Sequence, residues 1–270
     1  MKHIVSLFIA CALLCAPVAA QEKPATDAQK RPPRPDRVYL KDLEGTWVSE
    51  SFMKALKASR SPRQAARQAP PIVIQMKKDN GVYPIVTTNF RSAVLSFVIE
   101  VEPDRKPRSW RLVTAKSEGI INSSDVTYVY FTGKRASSGK FESLSIKEPH
   151  FAKRKRVDLA GLSEPLETFI NRHTLAGKYK DERGGVYEFT EAGDATLPDR
   201  KFAYEILLDT SKSGCDVLLN HHERAPDKKE AVGFAAKGDK VLLYKAAATS
   251  KGAWQCDAQP TATLTRDSAT

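Results

Sequence analysis

Residues 51–78 hold seven cations, Lys54, Lys57, Arg60, Arg63, Arg67, Lys77 and Lys78, and not one carboxylate. A stretch without interleaved acids builds local positive potential that draws in phosphates, carboxylates and sulfates. The planar guanidinium fork can meet such a group with two hydrogen bonds at once. Lys54, Lys57, Arg60, Arg63 and Arg67 are therefore the candidate ligand contacts. Arg60, Arg63 and Arg67 would share a face if one helix ran through Pro62, which as a first-turn proline instead restarts the helix. A second cationic run is Lys153-Arg154-Lys155-Arg156. Residues 21–173 carry 28 Lys and Arg against 17 Asp and Glu, whereas residues 174–270 carry 14 against 15. The formal charge of +11 thus resides in the first part of the chain.

Catalytic patterns are missing from the sequence. There is no Gly-x-x-x-x-Gly-Lys-Ser/Thr loop, no Gly-x-Ser-x-Gly elbow and no His-Glu-x-x-His pair. Ser163, in Gly161-Leu162-Ser163-Glu164-Pro165, reads as a helix cap. The one conspicuous group is His221-His222-Glu223. Adjacent histidines on a strand point to opposite faces, so only a bend could bring them to one metal ion. A polar loop is the expected role, with no metal and no cofactor. The chain reads as non-enzymatic.

Export is the expectation for its compartment. Met1-Lys2-His3 precedes an apolar run, Ile4 to Leu14, and then Cys15-Ala16-Pro17-Val18-Ala19-Ala20. Small residues at Val18 and Ala20 fit signal-peptide cleavage near Ala20, with Gln21 first in the mature chain and a periplasmic or secreted destination. Cleavage removes Cys11 and Cys15 and leaves Cys215 and Cys256, which in an oxidising compartment are expected to pair. The bond would close a loop of ~40 residues, a constraint of about 3–4 kcal/mol in the chain-entropy picture. The alternative is a pair of free thiols. Expected partners are an anionic or amphipathic envelope ligand or an acidic protein, with peripheral membrane contact. Nucleic acid is electrostatically suited, but export and the lack of a nucleic-acid module argue against it.

The elements that must position these residues are mainly strands. With 41% hydrophobic and 28% charged residues in 270, the chain is neither disordered, collagen-like nor a polytopic membrane protein. Residues 21–38, with Pro24, Pro32, Pro33 and Pro35, read as a linker. Period-two alternation follows. Ala93, Leu95, Phe97, Ile99 and Val101 predict a strand with one apolar face, and Val126-Tyr128-Tyr130 and Leu144-Ile146 repeat the pattern. Asp79-Asn80-Gly81 signals a hairpin, and Pro84 places the strand after it at an edge or bulge. Phe52 to Gln68 reads as helix, restarting at Ser61-Pro62. A second helix opens near Pro165, with Leu166, Phe169 and Ile170 on one face.

A further strand series runs from Tyr187 to Leu243. Leu43-x-Gly45-x-Trp47 and Leu175-x-Gly177-x-Tyr179 open the two series alike, which predicts two small antiparallel β-barrels or barrel-like domains in tandem. The alternative is one irregular β domain. Residues 39–160 would form the first, basic domain, 161–173 a connecting helix and 174–270 a disulfide-tied second domain. The two are expected to fold separately.

Asp42-Leu43-Glu44-Gly45-Thr46-Trp47 resembles the Gly-x-Trp opening of lipocalin and related calycin barrels. In that family the tryptophan closes the barrel floor under a late arginine, and the cup holds a small apolar ligand. The resemblance implies a barrel and makes Trp47 a candidate ligand contact. The family's middle Thr-Asp-Tyr motif is absent, and no late arginine is assigned by spacing.

Overall fold

The computed structural model describes residues 38–79, 83–88, 93–104, 108–115, 126–147, 156–208, 214–221, 229–249 and 253–267. The expected signal peptide, residues 21–37 of the linker, the Asn80-Gly81 turn and Lys153 to Lys155 lie outside these. Strand alternation translates into two closed barrels. The first runs β1 (Gly45–Ser49), β2 (Val73–Met76), β3 (Tyr83–Thr88), β4 (Ala93–Pro103), β5 (Ser109–Ala115), β6 (Val126–Arg135), β7 (Phe141–Lys147) and β8 (Arg156–Leu162). Each strand pairs antiparallel with the next, and β8 returns to β1, with Trp47 opposite Gly161. Closure leaves no edge to protect.

Pro84 is therefore not on an edge strand. It lies one residue past the last β2–β3 pair, Met76 with Ile85, so its missing N–H deprives β2 of nothing. The interior of this barrel is occupied by side chains. Trp110 stacks on Phe131 with centroids 5.6 Å apart, and Phe141 meets both rings edge-on. Trp47, Leu112, Val129, Leu144 and Ile146 close around them.

Two stripes face the other way from the sequence expectation. On β6 the buried residues are Val129 and Phe131, and Tyr128 and Tyr130 stand outside. On β4 a bulge between Val98 and Glu100 shifts the alternation. Leu95 is 51% exposed while Val98 packs inward.

The second barrel comprises β9 (Gly177–Asp181), β10 (Val186–Phe189), β11 (Asp194–Thr196), β12 (Lys201–Ile206), β13 (Asp216–His221), β14 (Lys229–Lys237), β15 (Lys240–Ala248) and β17 (Ala262–Arg266). The last strand pairs with both β15 and β9, completing the ring. β16 (Trp254–Cys256) lies on β15 beyond the stretch that β17 occupies. Between the barrels runs α3 (Leu166–Thr174), its N-cap position taken by Pro165 rather than Ser163. It buries Leu166, Phe169 and Ile170.

The matching openings prove to be matching structures. Trp47 Nε1 donates to the Leu43 carbonyl at 2.9 Å, and the Tyr179 hydroxyl donates to the Leu175 carbonyl at 2.8 Å. Gly45 and Gly177 both adopt positive φ, 136° and 148°, a conformation that suits glycine at the first position of each strand. Arg266, near the chain end, lies over the Tyr179 ring at 5.9 Å and donates to the Ala176 carbonyl at 2.7 Å.

The main departure from a two-part chain is the insert between β1 and β2, made of α1 (Glu50–Ser59) and α2 (Pro62–Gln68). Its apolar residues, Phe52, Ala55, Leu56 and Ala65, do not fill the first barrel. They join one continuous core with Phe169, Tyr179, Tyr204, Leu218, Phe234 and Leu264. A segment assigned by sequence order to the first domain thus packs in a core shared by both barrels, which also takes in Val48 and Val73. Burying such an amphipathic face requires an apolar partner, and α3, the neighbouring strands of the first barrel and the second barrel supply it together. No helix among the described residues is long and apolar enough to cross a membrane.

Candidate ligand-binding cleft

Local chemistry breaks the insert where the sequence predicts. Ser49 caps α1, accepting from the Phe52 N–H, and Ser61 caps α2, accepting from Gln64 N–H at 3.0 Å with Pro62 in the first helical position. Arg60 makes the elbow between them in the left-handed region, φ 54° and ψ 22°, where glycine is the usual occupant. A non-glycine residue there costs ~1 kcal/mol or more.

The Arg60 side chain accounts for that choice. Its Nε and Nη2 donate to the carbonyl of Thr174, the last residue of α3, at 3.1 and 2.9 Å. Nη2 also reaches the Tyr179 hydroxyl, and Nη1 reaches the Gly238 carbonyl, both at 2.9 Å. A cation on the terminal carbonyl of a helix is favourably placed. Arg60 is thus a tie between insert and second barrel, contrary to its expected place on an anion rim.

The other candidates separate into two groups. Lys54 and Lys57 are exposed on α1, with Lys57 Nζ 5.8 Å from the Phe169 ring centroid. Burial and the charge of Lys57 both hold the nearby His173 below the usual imidazole range. Trp47 is 4% exposed inside the first barrel and is core rather than a ligand contact. Arg63 and Arg67 lie on α2 at a cleft of about 750 Å³, formed against the start of β13, the end of β14, and Tyr244, Gln255, Cys256 and Asp257.

Two neighbouring residues of the second barrel hold the walls of this cleft. Asp216 is 6% exposed; its Oδ1 accepts the Arg63 N–H at 2.8 Å and its Oδ2 accepts from the Ser61 hydroxyl. Burial raises the Asp216 carboxyl above the ordinary aspartate range, against the opposing pull of these hydrogen bonds and of the Arg63 and Arg67 charges. The Arg63 guanidinium meanwhile donates to the Gly214 carbonyl. Cys215, between Gly214 and Asp216, stands at disulfide distance from Cys256, with Cα atoms 6.1 Å apart. The bond crosses the β14–β15 hairpin above Gly233, where a Cβ would lie 1.9 Å from Cys256 Sγ.

Lys237 joins Arg63 and Arg67 as a third cation of the lining. Asp216 is engaged in capping, so the remaining acid is Asp257, and the cleft is positive on balance. Lys237, Tyr244 and Asp257 were invisible as site residues in the sequence, where Lys237-Gly238-Asp239 reads only as a turn. Among the described residues no three His, Cys, Asp or Glu side chains gather into a metal site. His221 ends β13, and His222 and Glu223 lie outside the described residues. Comparison with protein-family models, curated proteins and solved structures gave no match.

Proposed function

We propose that this is an exported, non-enzymatic binding protein that engages an anionic or amphipathic ligand through its basic helical insert. The observation that carries this reading is how the insert is mounted. Its apolar face is buried in a core shared by the two barrels, while Lys54, Lys57 and Arg67 face solvent in a stretch without carboxylates. A cup in the first barrel is not the basis of the reading, because Trp110, Phe131 and Phe141 occupy that interior. The calycin-like resemblance enters for architecture alone.

Sedimentation with phosphatidylglycerol/phosphatidylcholine vesicles tests this function. The chain should bind at low ionic strength, release as salt approaches physiological levels, and bind less as the Lys54→Gln/Lys57→Gln variant. Equal binding by both proteins with no salt dependence would defeat the reading. Export is tested by the mature N-terminus, expected at Gln21.

A second reading, a protein-interaction module, is favoured by the outer face of the first barrel. Leu95, Tyr128 and Tyr130 are exposed there, and Arg111 lies 5.0 Å over the Tyr128 ring while paired with Glu102. Tyrosine and arginine are enriched where protein interfaces concentrate their energy. Failure of the wild type to bind vesicles at any ionic strength would favour this face over the insert.

A further inference from the structure

We propose that the cleft between α2 and β13–β16 binds a small organic anion with an apolar body, and that the Cys215–Cys256 disulfide sets its shape. The proposal rests on the reading of this chain as a binding protein, but not on the exposed lysines of α1. A volume of about 750 Å³ falls in the range of small-molecule sites, roughly 300–1,000 Å³. Its lining has two characters. Arg63, Arg67 and Lys237 supply positive charge, while Ala235, Ala236 and Tyr244 supply apolar surface. An extended polyanion would use the outer surface of α1; a concave site of this size favours a compact ligand with one charged end.

The disulfide belongs to the site because both walls depend on adjacent residues. Asp216 fixes α2 through the Arg63 N–H and Ser61. Cys215 fixes Cys256, the last residue of β16. That strand has three residues, and its one ladder partner among the described residues is β15. Cutting the bond by exchange with a dithiol leaves two thiols here and a disulfide on the reductant. It loosens the β16 wall, which keeps its β15 ladder and the Gly214 N–H bond to the Trp254 carbonyl, while the α2 wall stays capped.

The test uses the full oxidised chain and 8-anilinonaphthalene-1-sulfonate, an aromatic sulfonate whose fluorescence rises on binding. One equivalent should bind. Arg67→Gln and Lys237→Gln should each weaken it about tenfold, the scale of losing one charge-assisted hydrogen bond. Lys54→Gln/Lys57→Gln should leave it unchanged. Failure of the wild type to bind vesicles at any ionic strength, with dye binding intact, would overturn only the proposed function. The Cys215→Ala/Cys256→Ala variant should unfold cooperatively in urea yet bind the dye at least tenfold more weakly. Dye binding indifferent to Arg67→Gln and Lys237→Gln would overturn the cleft as the site. Full affinity in the cysteine variant would overturn the role of the disulfide, and absence of dye binding to the wild type would overturn the proposal as a whole.

Discussion

Asp216 Oδ1 lies 2.8 Å from the backbone nitrogen of Arg63, so a carboxylate of the second barrel caps a helix inserted in the first. The contact spans 153 residues of sequence. It accounts for how a seven-residue helix, too short to be stable by itself, holds its place.

Removing that cap should be costly, but removing its charge should not. Asp216→Ala strands the Arg63 N–H and the Ser61 hydroxyl in a buried place and should cost about 1–3 kcal/mol. Asp216→Asn can still accept from Arg63 N–H and donate to Ser61, and it sheds the desolvation of a charge. Its urea midpoint at neutral pH should match or exceed that of the wild type.

The same residue has a pH signature. Burial raises the Asp216 carboxyl in the folded state, so folding takes up a proton there. The contribution of this group to stability should grow as pH falls through its folded-state range and level off below the unfolded aspartate range. Urea midpoints across acid pH should show this component in the wild type and lack it in Asp216→Asn.

His173 works in the opposite sense. Its imidazole is held low in the folded state by burial first and by Lys57 and Arg172 next. Its contribution to stability is therefore complete above the ordinary histidine range and lost as pH falls toward the folded-state value. Following the His173 ring protons by NMR should show titration below the free-imidazole range, and Lys57→Gln should move it upward.

The shared core replaces the expectation of two separately folding parts with a sharper one. Expressed alone, residues 174–270 lack Phe52, Leu56 and Ala65, which belong to the same core as Tyr179, Phe234 and Leu218, and should be insoluble or molten. In the intact chain, Trp47 and Trp110 report on the first barrel and Trp254 on β16. Urea transitions followed through Trp254 alone, in a Trp47→Phe/Trp110→Phe variant, should coincide with far-ultraviolet dichroism of the same protein.

Gly233 offers a test of how tightly the disulfide is seated. Alanine there places a methyl group against Cys256 Sγ, and overpacking of that kind costs about 1–3 kcal/mol. The penalty should be smaller in a Cys215→Ala/Cys256→Ala background, which a double-mutant cycle would read directly.

Local rules carried the sequence reading a long way. Ser61-Pro62 breaks the insert where capping requires, Leu166, Phe169 and Ile170 form the buried stripe of α3, and Cys215 and Cys256 lie at bonding distance. Long-range assignments were the ones that failed. Phe52, Leu56 and Ala65 announce that a face must be covered, but periodicity does not name the cover. Arg60 looks like surface charge because its acceptors are backbone carbonyls at Thr174 and Gly238, which leave no trace in composition. Tyr128 and Tyr130 follow the period of a strand without revealing which face is inside, and the bulge on β4 reverses Leu95 for the same reason. The cleft draws on α2, β13, β14, β15 and β16, and no window of sequence contains it.

The insert also imposes an order on synthesis. Its apolar residues emerge near position 52, yet the ring that covers them is complete only with β17, which ends at Arg266. Through the elongation from α3 onward, Phe52 and Leu56 have only part of their native core, the residues of β1, α2, β2 and α3, and lack the share that the second barrel contributes. Biogenesis must therefore hold a sticky helical segment in reserve while one barrel closes around it and another is still being made. A chain of this design should depend on holding factors more than its size would suggest. Variants that make α1 less apolar should gain soluble yield during translation even as they lose stability once folded.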